Sequence, residues 1–429
     1  MTNVTYDPQT TIASIQLGPR WRDVYADLAP HNVVSMGGRD GDVGVAGFLT
    51  GGGNSYYAGR AGLAIDTVVN YEIVLASGKV VNTNKSSNPD LWKALKGGSG
   101  SSFGIVTRFD VETLPAVPLW GGMAVHNQTA SNQLATALVN FNENNYKNPQ
   151  DAYLLLSTYN SLVPSDTIIA SVIIDTEGTV NASAFSEALQ VPAIQTDRKT
   201  RSLEEVTVAY QNPGGARIVR FTLTTNNDVE IVKHIWQSHD QIVEDFKASL
   251  GSGSFSTQCV VQPLPAYFAD ISVKKGGNVL GLDSVNTNSI LWLGTAAYQN
   301  ATYDQLVHGK MQNWTANIQS FAKSRAGAVQ WQYVNYADSS QSPLGSYGNA
   351  NVDFIQNSSQ EIRSHQHIPV SSSWWVQNIK DIDNTGVLGQ RVGSFEEGCY
   401  ALVIPRAIVQ SSTAYSDLAQ RASNLESTI

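Results

Sequence analysis

At 429 residues the chain can bury a large core, enough for two domains or one large one. Hydrophobic residues make up 42% and charged residues 15%, an ordinary balance for a folded protein, and a net charge of −9 without a basic run argues against nucleic-acid binding. No segment reaches the ~18 consecutive apolar residues of a membrane span, the polar start MTNVTYDPQT is no signal peptide, and Cys259 and Cys399, with no metal-ligand spacing, read as buried thiols rather than a disulfide.

In chain order, Thr11–Leu17 reads as a strand, and Trp21–Leu28 as a helix with Trp21, Val24, Tyr25 and Leu28 on one face. The glycine-dense stretch Met36–Gly62 follows, too apolar to be a flexible linker. Asp66–Thr83 reads as a hairpin turning at Ala76-Ser77-Gly78. A short helix capped by Ser87 or Asn88 carries Pro89 in its first turn and stops at Gly97-Gly98; Phe103–Phe109 is then a strand. Pro115 and Pro118 mark a boundary. Beyond it, helices are expected near 130–145, 181–190, 228–250 and 301–324, and strands near 152–159, 167–175, 216–224, 256–262 and 289–297. That mixture predicts an α+β fold whose second part is an antiparallel sheet with helices on one face.

Glycines let backbone approach a ligand closely, and consecutive N–H groups form a concave site for anions such as pyrophosphate. Gly44-Val45-Ala46-Gly47 and Gly51-Gly52-Gly53 meet that need. They form neither the GxGxxG of a dinucleotide fold nor a P-loop. On glycine content alone, a tight bulge or hairpin explains the stretch equally well.

Longer motifs point further. Arg20–Tyr25, Gly37-Gly38-Arg39, Val43–Ser55, Gly62–Asp66, Tyr71–Leu75 and Leu91–Arg108 resemble the central part of the berberine-bridge-type FAD-linked oxidoreductases, within the PCMH-type flavoproteins. Tyr333-Val334-Asn335-Tyr336-Ala337-Asp338 and Pro343–Gly348 are similar to that family's returning motif. The resemblance spans roughly residues 5–355. It implies a partial FAD-binding domain over 1–118, a substrate domain over 119–325, a return segment over 326–355 and a divergent, poorly ordered tail over 356–429.

The family's roles transfer residue by residue. Val43, Gly44, Val45 and Gly47 correspond to backbone beside the flavin ring and pyrophosphate; Gly52, Gly53, Asn54 and Ser55, with Gly62, Asp66 and Val68, to further flavin, ribityl or adenine contacts. Gly104 and Ile105 correspond to the strand closing on the adenine end, and Tyr333 and Asn335 to the pair returning to the ring. Tyr336 is similar to the tyrosine that removes a substrate hydroxyl proton while hydride leaves carbon. The alternative for Tyr336 is a core aromatic with a satisfied hydroxyl. A valine at position 43 leans toward oxidase rather than dehydrogenase behaviour.

The chain also departs from the family. The family's first flavin subdomain, with its Arg-x-Gly-Gly-His motif and covalent histidine, is expected before residue 1, which makes the chain an N-terminally truncated member and leaves a cut core face. Asp40 stands where bicovalent members carry a cysteine, so FAD would be held without covalent bonds. After Asn351–Phe354 the pattern is lost; His365-Gln366-His367 lacks a third metal ligand, and Trp374-Trp375 reads as local packing. His234 and His239, five apart on a helix, read as surface or satisfied core positions.

The expected function is hydride transfer from a small-molecule alcohol, sugar or secondary metabolite to FAD, with molecular oxygen as final acceptor and no nucleic-acid or membrane partner. The alternative is a flavin-free or non-catalytic relative that uses the cleft for binding or a non-redox cyclisation. A secretory route is implied by the family only.

Overall fold

The computed structural model describes residues 1–99, 103–163, 167–212, 214–251 and 253–364. The first unit runs β1 (Val4–Asp7), β2 (Ile12–Gln16), α1 (Trp21–Leu28), β3 (Val33–Ser35), α2 (Val45–Gly51), α3 (Ala58–Ala61), β4 (Val68–Leu75), β5 (Val80–Asn84), α4 (Pro89–Leu95) and β6 (Gly104–Pro115). Its six strands form an antiparallel sheet in the order β1-β2-β6-β4-β5, with β3 paired to the far end of β6. The long β6 serves as the hub because its 12 residues reach three neighbours.

The second unit runs β7 (Leu119–His126), α5 (Ser131–Asn144), β8 (Asp151–Asn160), β9 (Ile168–Asp175), α6 (Ser186–Gln190), β10 (Gln195–Thr196), β11 (Lys199–Arg201), α7 (Leu203–Ala209), β12 (Arg217–Asn226), α8 (Val229–Leu250), β13 (Phe255–Leu264), α9 (Tyr267–Lys274), β14 (Ser289–Tyr298), α10 (Asp304–Ser324) and β15 (Ala328–Val329); α11 (Asn349–Ser364) follows. The nine strands form one antiparallel sheet, β10-β7-β9-β8-β13-β14-β12-β15, with β11 also paired to β7.

Side chains alternate across this sheet with the strand period of two. Cys259 and Val261 of β13, with Trp292 and Ala296 of β14, pack under α5, α8 and α10. Val260 and Leu264, with Leu291 and Leu293, pack into the core shared with the first unit. Helices therefore cover one face, as the sequence predicts, and the other face packs into the core shared with the first unit. Trp292 and Trp314 meet edge to face at 4.9 Å, and the Trp314 indole N–H donates to Ser238 at 2.8 Å, which locks α10 to α8 and the sheet.

The glycine-dense stretch is where the structure departs most from expectation. Val45–Gly51 is a helix, not a bulge or hairpin. The stretch is too short to show helical periodicity, and its helix is stabilised by burial of Val45, Phe48 and Leu49, with Phe48 edge-on to Trp21 at 5.2 Å. The cap of α4 is Asn88, which lies in the left-handed region and makes no side-chain cap bond. The tail expected to be poorly ordered from 356 is helical through Ser364. Cys259 is a free buried thiol; Cys399, His365, His367, Trp374 and Trp375 lie outside the described residues. No helix among the described residues is long and apolar enough to cross a membrane.

Candidate active site

The loop before α2 is stapled to the start of α1. Trp21 N donates to Val43 O at 3.0 Å, Arg22 N to Gly41 O at 3.0 Å, and Val45 N to Pro19 O at 3.2 Å. The Arg20 guanidinium donates to the Asp42 carbonyl and Arg22 pairs with the Asp42 carboxylate. Helix α2 ends where the return segment arrives. A Cβ on Gly51 would lie 1.8 Å from Asn335 Oδ1, and one on Gly52 would lie 2.7 Å from the Tyr333 ring. Gly52 also has φ +136°, which favours glycine. The Tyr333 hydroxyl accepts from Gly53 N at 2.6 Å and from Asn335 Nδ2 at 3.1 Å, so Tyr333 and Asn335 seal the end of the glycine strip.

Tyr336 follows one turn later, buried, with its ring edge-on to Tyr333 at 4.8 Å. Its hydroxyl oxygen accepts from Arg39 Nη2 at 2.9 Å. The same Arg39 nitrogen donates to Gln262 Oε1, which also accepts from Asn54 Nδ2 at 3.4 Å and faces the Tyr336 hydroxyl at 3.5 Å. Four elements thus converge: the loop before α2, the strip after it, β13 and the return segment. Gln262 is 2% exposed, and its Nε2 has no hydrogen-bond partner. The hydroxyl of buried Tyr56 is also unpartnered, and burial pushes its ionisation up, against the pull of the Arg39 charge.

Asp40 is buried beside this cluster, and its carboxylate accepts from Asp42 N at 2.8 Å, Asn212 N at 3.1 Å and Asn212 Nδ2 at 2.8 Å. Burial raises its pKa, partly offset by these donors. Asn212 in turn lines a cavity of about 210 Å³ with Gln258 of β13, Arg220 of β12 and Thr295 of β14. Gln258, Val260 and Gln262 share one face of β13, so the cavity lies along the same sheet face as the Tyr336 cluster.

The other sequence-predicted residues fall into two groups. Ala64 N donates to Gly53 O at 2.7 Å and Ile65 N to Gly52 O at 2.9 Å, which sets the Gly62–Val68 segment against the glycine strip. There the Asp66 carboxylate is buried and accepts from Leu63 N, Ser272 Oγ and Asn278 Nδ2, while the Val68 carbonyl accepts from the Trp92 indole. Ser55 is buried and its Oγ accepts from Tyr57 N at 3.4 Å. Gly104 and Ile105 open β6 against Leu75 and Val74, where Ile105 is 66% exposed, and the contacts described for them do not reach the cluster. Sequence reasoning assigned no role to Arg39, although it quoted the residue within a motif, and missed Gln262. The available signal for Gln262 was a polar side chain on the period-two face of the apolar run Cys259–Leu264.

The strip suits a flat cofactor ring. A Cβ on Gly44 or Gly47 would meet nothing within 4 Å, and Val43, Val45 and Leu49 behind them are buried. The open edge is therefore glycine and half-buried Ala46 and Thr50, a surface that backbone amides can present to a heteroaromatic group. Unpartnered buried polar atoms at its border, Gln262 Nε2 and the Tyr56 hydroxyl, are groups that a ligand would satisfy. Among the described histidines, His239 is enclosed between Ser157 and Thr257, and His308 pairs with Asp338.

Residues 1–84 match the FAD binding domain family. Over 357 residues the chain is 32% identical to the FAD-dependent monooxygenase drtC of Aspergillus calidoustus, covering 83% of this chain and 68% of that one. Over 362 residues it is 33% identical to the FAD-dependent monooxygenase sdcF of Emericella nidulans, covering 84% and 75%. BBE-like 1 of Physcomitrella patens superposes with a TM-score of 0.67 at 17% identity over 84% of this chain and 76% of its own, which shows a shared fold. On these grounds the chain belongs to the family of fungal FAD-dependent monooxygenases and is an FAD-dependent oxidoreductase.

Proposed function

We propose that the chain oxidises a small organic molecule (an alcohol, sugar or secondary metabolite) at the Tyr336 cluster, with FAD held non-covalently against the Val43–Ser55 strip and dioxygen as the final electron acceptor. The observation that carries this reading is the meeting of Tyr336, Arg39 and Gln262 beside the glycine strip, on the sheet face along which the cavity lies. Bound FAD supplies the acceptor for hydride. The chain's own residues do the rest. The cavity wall holds the substrate along the β13 face. Tyr336 takes the hydroxyl proton as carbon loses its hydride. Arg39 donates to the tyrosine oxygen at 2.9 Å and fixes its position. Asp40 carries no thiol, and its oxygens are committed to Asp42 and Asn212, which supports non-covalent retention.

Oxidation of an alcohol to a carbonyl with dioxygen releases one hydrogen peroxide per substrate, whereas the monooxygenase name of the relatives implies oxygen insertion into product. Screening aryl alcohols, polyphenols and oligosaccharides for peroxide, with mass analysis of products made under labelled dioxygen, separates the two. On any turned-over substrate, Tyr336→Phe should lower kcat about 10²- to 10⁴-fold while flavin content is unchanged. Wild-type turnover by the phenylalanine variant would remove Tyr336 from the reaction.

A further inference from the structure

We propose that Arg39 is a specificity-determining residue that selects substrates bearing a planar oxyanion, a carboxylate or a phenolate or enolate oxygen, on the group that docks beside Tyr336. This rests on the reading that substrate binds at that cluster. Arg39 is half-buried, and among the described residues its hydrogen bonds go to the neutral Gln262 amide and the Tyr336 hydroxyl. Among the described residues no carboxylate lies within ion-pair distance of it, whereas Arg108 is matched by Glu72 and Asp110 and Arg201 by Asp197. A partly desolvated guanidinium with neutral partners is costly unless an anion arrives. The groups around it are donors as well: Gln262 Nε2 and the Tyr56 hydroxyl are buried without partners. Asp40, the nearest acid in sequence, has its carboxylate accepting from Asp42 and Asn212.

A planar guanidinium fork matches a carboxylate in two parallel hydrogen bonds and a phenolate or enolate oxygen in a charge-assisted one, neither of which a neutral hydroxyl reproduces. The unpaired amide of Gln262 adds a third donor. The site is thus built to discriminate by charge and shape together, because a neutral analogue leaves the Arg39 charge without a counter-charge.

The test uses the flavin-loaded full chain and two matched probe pairs: benzoate against benzamide, and 4-nitrophenolate against 4-nitroanisole. Binding is read by the ligand-dependent rise in the unfolding midpoint and by perturbation of the flavin spectrum, so no turnover is required. We expect at least one anion to bind about tenfold or more tighter than its neutral partner, with Arg39→Met abolishing the preference and Arg39→Lys keeping part of it. Whichever pair shows the preference identifies carboxylate or phenolate as the source. Equal binding of anion and neutral partner by the wild type, or a preference that survives in Arg39→Met, overturns the proposal. Should Arg39→Met fail to fold, Arg39→Lys decides: undiminished preference overturns the need for a planar fork. Flavin content is measured on the same samples, so a colourless protein that still prefers the anion would sink the oxidoreductase role of the cluster without touching this inference.

Discussion

At the residue scale, the structure spends its buried charges in two ways. Asp40 is ionisable but held by three N–H donors, so its burial is compensated. Asp151 is not. It sits opposite Asp175 across β8 and β9, 4% exposed, and neither of its oxygens has a donor. Burial first, then the neighbouring Asp175, pushes its pKa up to about 8. In the unfolded chain an aspartate ionises near pH ~3.9. The folded state therefore holds an extra proton between those values, and stability falls as pH rises from about 4 through about 8. Buried Lys96 acts oppositely: burial lowers its pKa to about 7, so stability gains as pH rises from 7 toward the ordinary lysine value. We predict that Asp151→Asn flattens the loss between pH 5 and about 8 in urea unfolding curves. An unchanged pH slope would show that Asp151 is ionised in the folded protein.

At the scale of elements, legibility followed periodicity. Helix α1 and the long α8 were readable because Trp21, Val24, Tyr25 and Leu28, and Ile231, Ile235, Trp236, Ile242, Val243 and Phe246, recur at helical spacing and are all buried. The strands β8, β9, β13 and β14 were readable from their apolar runs, and β12 from its alternation and β-branched residues. Helix α2 was not, because seven residues with Gly47 inside them carry no period, and its stability comes from contacts made far away in sequence. Strand β7 was missed for a related reason: Gly121 and Gly122 break its pattern, although Gly121 is required where a Cβ would lie 2.0 Å from the Ile173 carbonyl. The glycine strip makes a testable demand of the same kind. Gly52→Ala places a methyl group against the Tyr333 ring at φ +136°. We expect a loss of roughly 1–3 kcal/mol in unfolding free energy, with weakened flavin retention as Tyr333 shifts. Full stability and flavin content in that variant would mean that Tyr333 does not need its present seat.

At the scale of the whole molecule, the site depends on chain segments nearly 300 residues apart, since Arg39 and Tyr336 meet with a separation of 297. The motifs around both were legible in the sequence, and so was their return to a common place. The third partner was not, because Gln262 is positioned by the register of β13 between β8 and β14, a tertiary fact. The same long-range closure explains why Trp331 donates to the Leu280 carbonyl at 2.7 Å and stacks near Tyr333: the return segment is pinned to the second unit before it reaches the first. The central claim is that the Val43–Ser55 strip, sealed by Tyr333 and Asn335, holds FAD without a covalent bond. The direct measurement is to saturate the purified full chain with FAD, remove the excess by gel filtration, record the flavin absorbance and then precipitate with acid. The account predicts a yellow protein carrying about one FAD per chain, with all of the flavin released to the supernatant. A colourless protein, or flavin that stays with the acid pellet, would contradict it.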